Sequence, residues 1–220
     1  MFLFMFLFVK SCNREYPHLE TVSNLNFEKY EGKWFEVARL PVSHEDRCIY
    51  PVILHYKLQK DETFDVELAC VDKHGNMLVS NGLIKQESEE SKSKMKITFV
   101  PHLLQFMPFA WAEYYVVYVT EDYQYAIVGN QSRDHVWILS RKGHGYEEDM
   151  VKELVGKCKE AGFETDELIF PIEQMKELGV FEKKSISEYV SNAANSIANN
   201  VSAANSTKVA DAANIATVVP

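Results

Sequence analysis

The sequence lacks most of the patterns that mark catalysis, metal binding or nucleic-acid binding. It contains no Ser-His-Asp arrangement, no paired-carboxylate site and no phosphate-binding loop, and its seven histidines show no metal-ligand spacing. It also lacks a stripe of clustered basic residues. With 23 Lys and Arg and 32 Asp and Glu, the net charge is −9. Both features argue against a nucleic-acid partner, and none is expected. We expect neither a cofactor nor a metal.

Long apolar runs are also missing, because no segment reaches the ~20 residues that a membrane-spanning helix needs. Residues 1–9 are all apolar, which is the length of the core of a secretory signal, so we expect a signal-like segment at 1–11. Cys12 follows at a position that suits cleavage and acylation of a lipoprotein. The alternative is ordinary secretion with an incidental cysteine.

Export is therefore expected. If the source is bacterial, a lipid anchor on Cys12 would hold the protein at the outer membrane or in the periplasm; otherwise the protein would be secreted. Residues 12–25 are polar and are predicted to form a tether, and residues 26–180 are predicted to form one domain. Residues 181–220 are rich in Ala, Asn and Ser, which predicts a mostly disordered tail, with a surface helix as the alternative.

The predicted domain begins with short runs in which apolar and polar residues alternate. Such runs predict half-buried strands, and many of them at hairpin spacing predict an all-β sandwich or barrel. The predicted strands cover residues 33–40, 50–58, 63–71, 77–86, 94–100, 113–120, 123–129 and 135–141.

One helix is predicted over residues 147–161, where apolar residues recur at helical spacing and Gly162 follows as a natural end. Its apolar stripe is expected to cover the outer face of the first and seventh strands, which are apolar on both faces. Residues 168–172 are predicted to form one more edge strand.

Three short motifs resemble the signature motifs of the lipocalins. The first is Gly32-x-Trp34, the second is Asp122-Tyr123, and the third ends at Arg141. The sequence over 123–141 is similar to the lipocalin group that contains bacterial outer-membrane lipocalins, plant temperature-induced lipocalins and apolipoprotein D. The resemblance covers about residues 25–175.

This resemblance implies an eight-stranded antiparallel up-and-down β-barrel with one flanking C-terminal helix. Trp34 would plug one end, with Arg141 stacked on its indole. The implied function is non-covalent binding, storage or transport of a small hydrophobic or amphiphilic ligand, with fatty acids or lysophospholipids as the leading classes. The protein is not expected to be an enzyme.

Strand parity predicts which side chains face the interior and contact the ligand. Glu36 shares this parity and is expected to pair with an interior Tyr or Arg near the closed end. The predicted ligand-binding residues are Ala38, Val52, Leu54, Tyr56, Val66, Leu68, Ile84, Ile97, Phe99, Tyr114, Val116, Tyr118 and Trp137.

Cys70 shares the inward parity and leaves two interpretations open. A free thiol there would fit a lipocalin-fold enzyme with an interior nucleophile. A tight turn at Lys60-Asp61 would instead set Pro51 opposite Cys70 and bring Cys48 within disulfide reach, and we favour this bridge. Cys158, on the apolar stripe of the helix, would then remain a buried thiol.

The connection at 101–111 is unusually apolar for a loop. In an up-and-down barrel it lies at the open end. It is expected either to fold inward as a lid or to stay exposed, and an exposed apolar loop marks an interaction with a membrane surface or a protein.

Overall fold

The computed structural model describes residues 16–42, 48, 50–74, 76–173 and 191. The predicted signal-like segment and Cys12 lie outside the described residues, and so does the predicted tail except for residue 191.

Eight strands form a closed barrel within the described residues, and each pairs antiparallel with its neighbours in chain order. This confirms the predicted fold. The strands are β1 Gly32–Arg39, β2 Ile53–Leu58, β3 Phe64–Val71, β4 Met77–Gln86, β5 Lys94–Thr98, β6 Ala112–Val119, β7 Tyr125–Gly129 and β8 Val136–Ser140.

The hairpin between β2 and β3 differs from the predicted tight turn. Leu58 pairs with Phe64, and the backbone N–H of Gln59 donates to the carbonyl of Thr63. Glu62 completes the longer turn with a positive φ of 60°, a conformation that three-residue hairpin loops require. The predicted pairing of Pro51 with Cys70 is therefore wrong by one residue.

Two β-bulges change which side chains face the interior. The pairing of β1 with β8 shifts between Glu36 and Ala38, and the pairing of β6 with β7 shifts between Val116 and Tyr118. A bulge adds one residue to a strand and so reverses the facing of the residues beyond it. Ala38 and Tyr118 pack in the outer apolar cluster instead of the interior, so the parity prediction for these two residues is wrong.

The outer cluster lies beneath helix α2, Glu148–Glu160, which matches the predicted helix to within one residue at each end. Val151, Leu154 and Cys158 are the buried side chains of this helix. They pack with Val37 of β1 and Ile127 of β7, so the helix covers the strands that it was expected to cover.

The segment predicted as an edge strand makes a single antiparallel bridge, between Ile169 and Arg39. No helix among the described residues is both long and apolar enough to cross a membrane.

Candidate functional site

One end of the barrel is sealed by the helix α1, Phe27–Tyr30, and by Trp34. The Arg141 guanidinium lies over the Trp34 indole, with its central carbon 3.9 Å from the ring centre. Gly32 has a φ of +102°, and a Cβ there would lie 3.1 Å from Arg141 Nη1. The positive φ favours glycine at this position, and a side chain there would also crowd Arg141.

The Asp122-Tyr123 motif joins the same end. The Tyr123 hydroxyl accepts a hydrogen bond of 3.0 Å from the backbone N–H of Asn26, and the Tyr123 carbonyl faces Arg141 Nε at 3.4 Å. Asp122 Oδ1 accepts from the backbone N–H of Gln124 at 3.1 Å and holds the turn. All three motifs thus meet at the closed end, and Trp34, Tyr123 and Arg141 are not among the residues that line the cavity.

A chain of three tyrosine hydroxyls crosses the interior above this end. The Tyr30 and Tyr114 hydroxyls are 2.7 Å apart, and Tyr114 donates to Tyr56 at 2.8 Å. Burial raises the pKa of Tyr114 well above its ordinary value, so the hydroxyl stays protonated. Tyr56 and Tyr114 also line the cavity, which gives it a polar, uncharged floor.

A cavity of about 690 Å³ occupies the interior between this floor and the open end. Such a volume lies within the range of about 300–1,000 Å³ that small-molecule sites occupy. Seven of the thirteen predicted contact residues line it: Leu54, Tyr56, Leu68, Ile97, Phe99, Tyr114 and Trp137.

The other six predicted residues are placed differently. Four are buried in the interior apolar cluster without lining the cavity: Val52, Val66, Ile84 and Val116. Ala38 and Tyr118 lie on the outer face, as the bulges require.

Glu36 lines the cavity and is ion-paired. Its Oε1 accepts from Arg39 Nη1 at 2.6 Å, and both side chains are almost fully buried. Arg39 Nη2 also donates to the Cys48 carbonyl at 3.3 Å. The partner of Glu36 is thus an arginine, one of the two expected residue types. Arg39 lies toward the open end of the barrel and not near the closed end, and the β1 bulge turns its side chain inward.

Cys48 and Cys70 form a disulfide bond, which confirms the predicted bridge. The enzymatic interpretation required a free Cys70 thiol, and the disulfide removes it. Cys158 is a free cysteine, and burial raises its pKa to about 12. A protonated, buried thiol is a poor nucleophile.

The apolar loop at the open end does not pack down as a lid. It contains two short 3-10 turns, His102–Leu104 and Pro108–Ala110. Leu103, Phe106 and Phe109 are 82%, 81% and 82% exposed. Phe109 nevertheless lines the cavity, so the loop forms one lip of the mouth.

The rim beside this loop is formed by the polar turn between β7 and β8. Asn130, Gln131, Ser132 and His135 line the mouth there. His135 Nδ1 lies 2.6 Å from Asp134 Oδ1, and its ring stacks on Trp137 with centroids 5.9 Å apart. The mouth is therefore bordered by an exposed apolar loop, residues 101–111, and by a polar turn whose side chains form hydrogen bonds.

Sequence reasoning missed the tyrosine chain and Glu113, another residue that lines the cavity. Tyr114 was predicted to face the interior, but no pattern in the sequence shows that three hydroxyls from distant segments meet. Within the described part of the chain, no group of three His, Cys, Asp or Glu side chains is placed to hold a metal ion.

A closed eight-stranded barrel with one sealed end and an open cavity defines a class of small-ligand binding proteins. The family described as "Lipocalin-like domain" matches residues 25–173, and the chain belongs to this family. Its members generally bind small hydrophobic ligands and are generally not enzymes.

Named relatives agree with this assignment. The chain is 32% identical to temperature-induced lipocalin-1 of Arabidopsis thaliana over 155 residues, which is 70% of this chain and 82% of the relative. It is 29% identical to the outer membrane lipoprotein Blc of Vibrio cholerae over 159 residues, covering 71% and 87%. It is 30% identical to bovine apolipoprotein D over 133 residues, covering 57% and 65%.

Solved structures show the same fold. Insecticyanin from the tobacco hornworm Manduca sexta matches with a TM-score of 0.54 and 19% identity, covering 70% of this chain and 84% of that one. Apocrustacyanin C2 matches with a TM-score of 0.52 and 16% identity, covering 66% and 78%.

Proposed function

We propose that this protein stores or carries a single-chain amphiphile, a fatty acid or a lysophospholipid, in the barrel cavity. The observation that carries the proposal is the cavity itself, about 690 Å³ in volume and sealed at the end where Trp34 and Arg141 stack. One closed end and one open end suit a ligand with an apolar tail and a polar head.

The residues that line the cavity support a ligand whose apolar tail lies inside and whose polar head lies at the mouth. Leu54, Leu68 and Val128 are apolar residues of the cavity lining, against which a hydrocarbon chain would be removed from water. Asn130 and Gln131 line the mouth, where a head group would keep its hydrogen bonds. A pre-formed cavity of this kind binds without covalent chemistry.

Native mass spectrometry of the purified protein tests the proposal by showing whether an amphiphile co-purifies. The companion measurement is titration with palmitate and with palmitoyl-lysophosphatidylcholine. Leu54→Trp should fill the cavity and abolish binding, whereas Asn81→Trp, on the exposed outer side of β4, should leave binding intact. Binding that survives Leu54→Trp in a folded protein would place the ligand elsewhere.

A second function, docking on a lipid surface, is favoured by the exposed loop. We propose that residues 101–111 insert shallowly into a bilayer and bring the mouth to its ligand source. Leu103 and Phe106 are about four-fifths exposed without serving as a lid, and contiguous exposed apolar surface marks interaction sites. The continuity of this loop with the cavity through Phe109 gives the lipid a direct path.

Co-sedimentation with phosphatidylcholine vesicles tests the docking loop on protein without any lipid anchor. The variant Leu103→Ser/Phe106→Ser should lose vesicle binding, while His102→Ser, at an exposed polar position of the same loop, should not. Vesicle binding that is the same in the wild type and both variants would rule the docking loop out.

A further inference from the structure

We infer that the cavity mouth selects an amphiphile whose head group carries a positive ammonium over one whose head group is a carboxylate, and that Glu113 contributes to this choice. This inference rests on the proposed binding of an amphiphile and narrows its ligand class.

The charges that line the cavity are the first observation. Glu36, Glu113 and His135 line it, and among the described lining residues there is no Lys or Arg. Taking a carboxylate out of water without a cationic partner is costly. The net charge of −9 adds a repulsive field for anions.

Two described cations, Arg39 and Lys85, have partners other than a ligand. Arg39 is ion-paired with Glu36 at 2.6 Å. Lys85 Nζ lies over the Trp111 ring, 3.8 Å from its centre, and does not line the cavity. Neither is placed to receive a carboxylate head group.

Arg133 is held in a similar way. Its guanidinium lies 5.1 Å from the centre of the Tyr16 ring, and it donates to the carbonyls of Ala161 and Gln131 at 2.9 and 2.6 Å. It too is absent from the cavity lining. Among the described residues that line the mouth, Glu113 is therefore a carboxylate without a Lys or Arg beside it in the lining.

The chemistry of the mouth matches an ammonium group. Phe99, Phe109 and Trp137 line it, and aromatic faces attract cations through the ring quadrupole. Glu113 supplies a carboxylate whose Oε2 accepts the backbone N–H of Gln131 at 2.9 Å, so its position is fixed. Aromatic faces bind quaternary ammonium groups, and Glu113 adds a negative charge to the lining of the same cavity.

Three probes with one 14-carbon chain test the inference: tetradecyltrimethylammonium, tetradecanol and tetradecanoate, titrated by calorimetry below their micelle concentrations at one ionic strength. We expect the ammonium probe to bind about tenfold more tightly than the carboxylate, with the alcohol between them. Lysophosphatidylcholine should likewise bind more tightly than lysophosphatidic acid of the same acyl chain.

The outcomes separate the inference from the proposed function. If no probe binds, the proposed amphiphile binding fails. If the probes bind and the carboxylate is equal to the ammonium probe or tighter, amphiphile binding stands and the head-group inference is overturned.

A variant pair tests the role of Glu113. Glu113→Gln keeps an acceptor for Gln131 but removes the charge, and should lower affinity for the ammonium probe severalfold while leaving the alcohol unchanged. Glu121→Gln, at an exposed position in the turn of the closed end, should leave all three affinities unchanged. If Glu113→Gln leaves the ratio of the affinities for the ammonium probe and the alcohol unchanged, Glu113 does not contribute to the head-group preference.

Discussion

Arg141 stacks on Trp34 at 3.9 Å and donates from the same guanidinium to four backbone carbonyls between Lys29 and Lys33. One side chain therefore ties the end of β8 to helix α1 and the start of β1. Desolvation lowers the pKa of Arg141 from its ordinary value, and electrostatic interaction with Tyr30 and Tyr56 offsets part of that effect.

Replacing Arg141 with Ala should lower the free energy of unfolding by roughly 2–4 kcal/mol, because one cation–π contact and several hydrogen bonds are lost. Arg141→Lys should recover only part of this, since one ammonium cannot reach four carbonyls in the same geometry. Urea unfolding measures both. The affinity of folded protein for its amphiphile should not change, and a large affinity loss without destabilisation would place Arg141 in the binding site.

The disulfide gives a second prediction. Cys48 and Cys70 are 22 residues apart, and removing the bridge should cost roughly 3 kcal/mol in the chain-entropy model. The matched variants are Cys48→Ser/Cys70→Ser and Cys158→Ser, compared by thermal unfolding with and without reductant. Reductant should destabilise the wild type and Cys158→Ser but not the double variant.

Cys158 itself should resist alkylation. Burial on the inner face of α2 raises its pKa to about 12, so at pH 8 the nucleophilic thiolate is almost absent. Iodoacetamide labelling and peptide mass spectrometry should find Cys158 modified only in denaturant. Rapid labelling of Cys158 in the native protein would show that the helix opens.

Much of this fold could be predicted from the sequence because its causes are local. Alternation at period two marks the strands, and the apolar stripe ending at Gly162 marks the helix. The facing of Ala38 and Tyr118 could not be predicted, since a bulge depends on how neighbouring strands pair and no residue in either strand indicates it. The Cys48–Cys70 bridge was predicted correctly despite a one-residue error in register, because disulfide reach tolerates such a shift.

The bulge in β6 places two tyrosines of this strand on opposite faces of the barrel wall. Tyr118 lies on the outer face under Lys157, whose Nζ is 4.6 Å from the ring centre, whereas Tyr114 lines the cavity. Tyr118→Ala should reduce stability by about 1–3 kcal/mol without changing ligand affinity, while Tyr114→Phe should change affinity by removing a hydroxyl from the cavity floor. Calorimetric titration of both variants measures these affinities. A loss of affinity in Tyr118→Ala with none in Tyr114→Phe would contradict the outward facing of Tyr118 that the bulge produces.

The buried pair of Glu36 and Arg39 gives the last prediction. The side chains of Arg39 and Glu36 are 2% and 1% exposed and only 2.6 Å apart. Arg39 also holds the Cys48 carbonyl, so the pair connects the cavity wall to the disulfide. Arg39→Met takes away the guanidinium that faces a buried carboxylate and should cost roughly 3–5 kcal/mol.

A second substitution should restore part of that loss. In Glu36→Gln/Arg39→Met the carboxylate is gone, so the double variant should be more stable than Arg39→Met alone. A double-mutant cycle from urea unfolding measures the coupling. Additive losses would show that the two charges stabilise the fold independently, and that Arg39 acts mainly through Cys48. A coupling energy of the expected sign with the disulfide intact would instead show that the ion pair itself stabilises the fold.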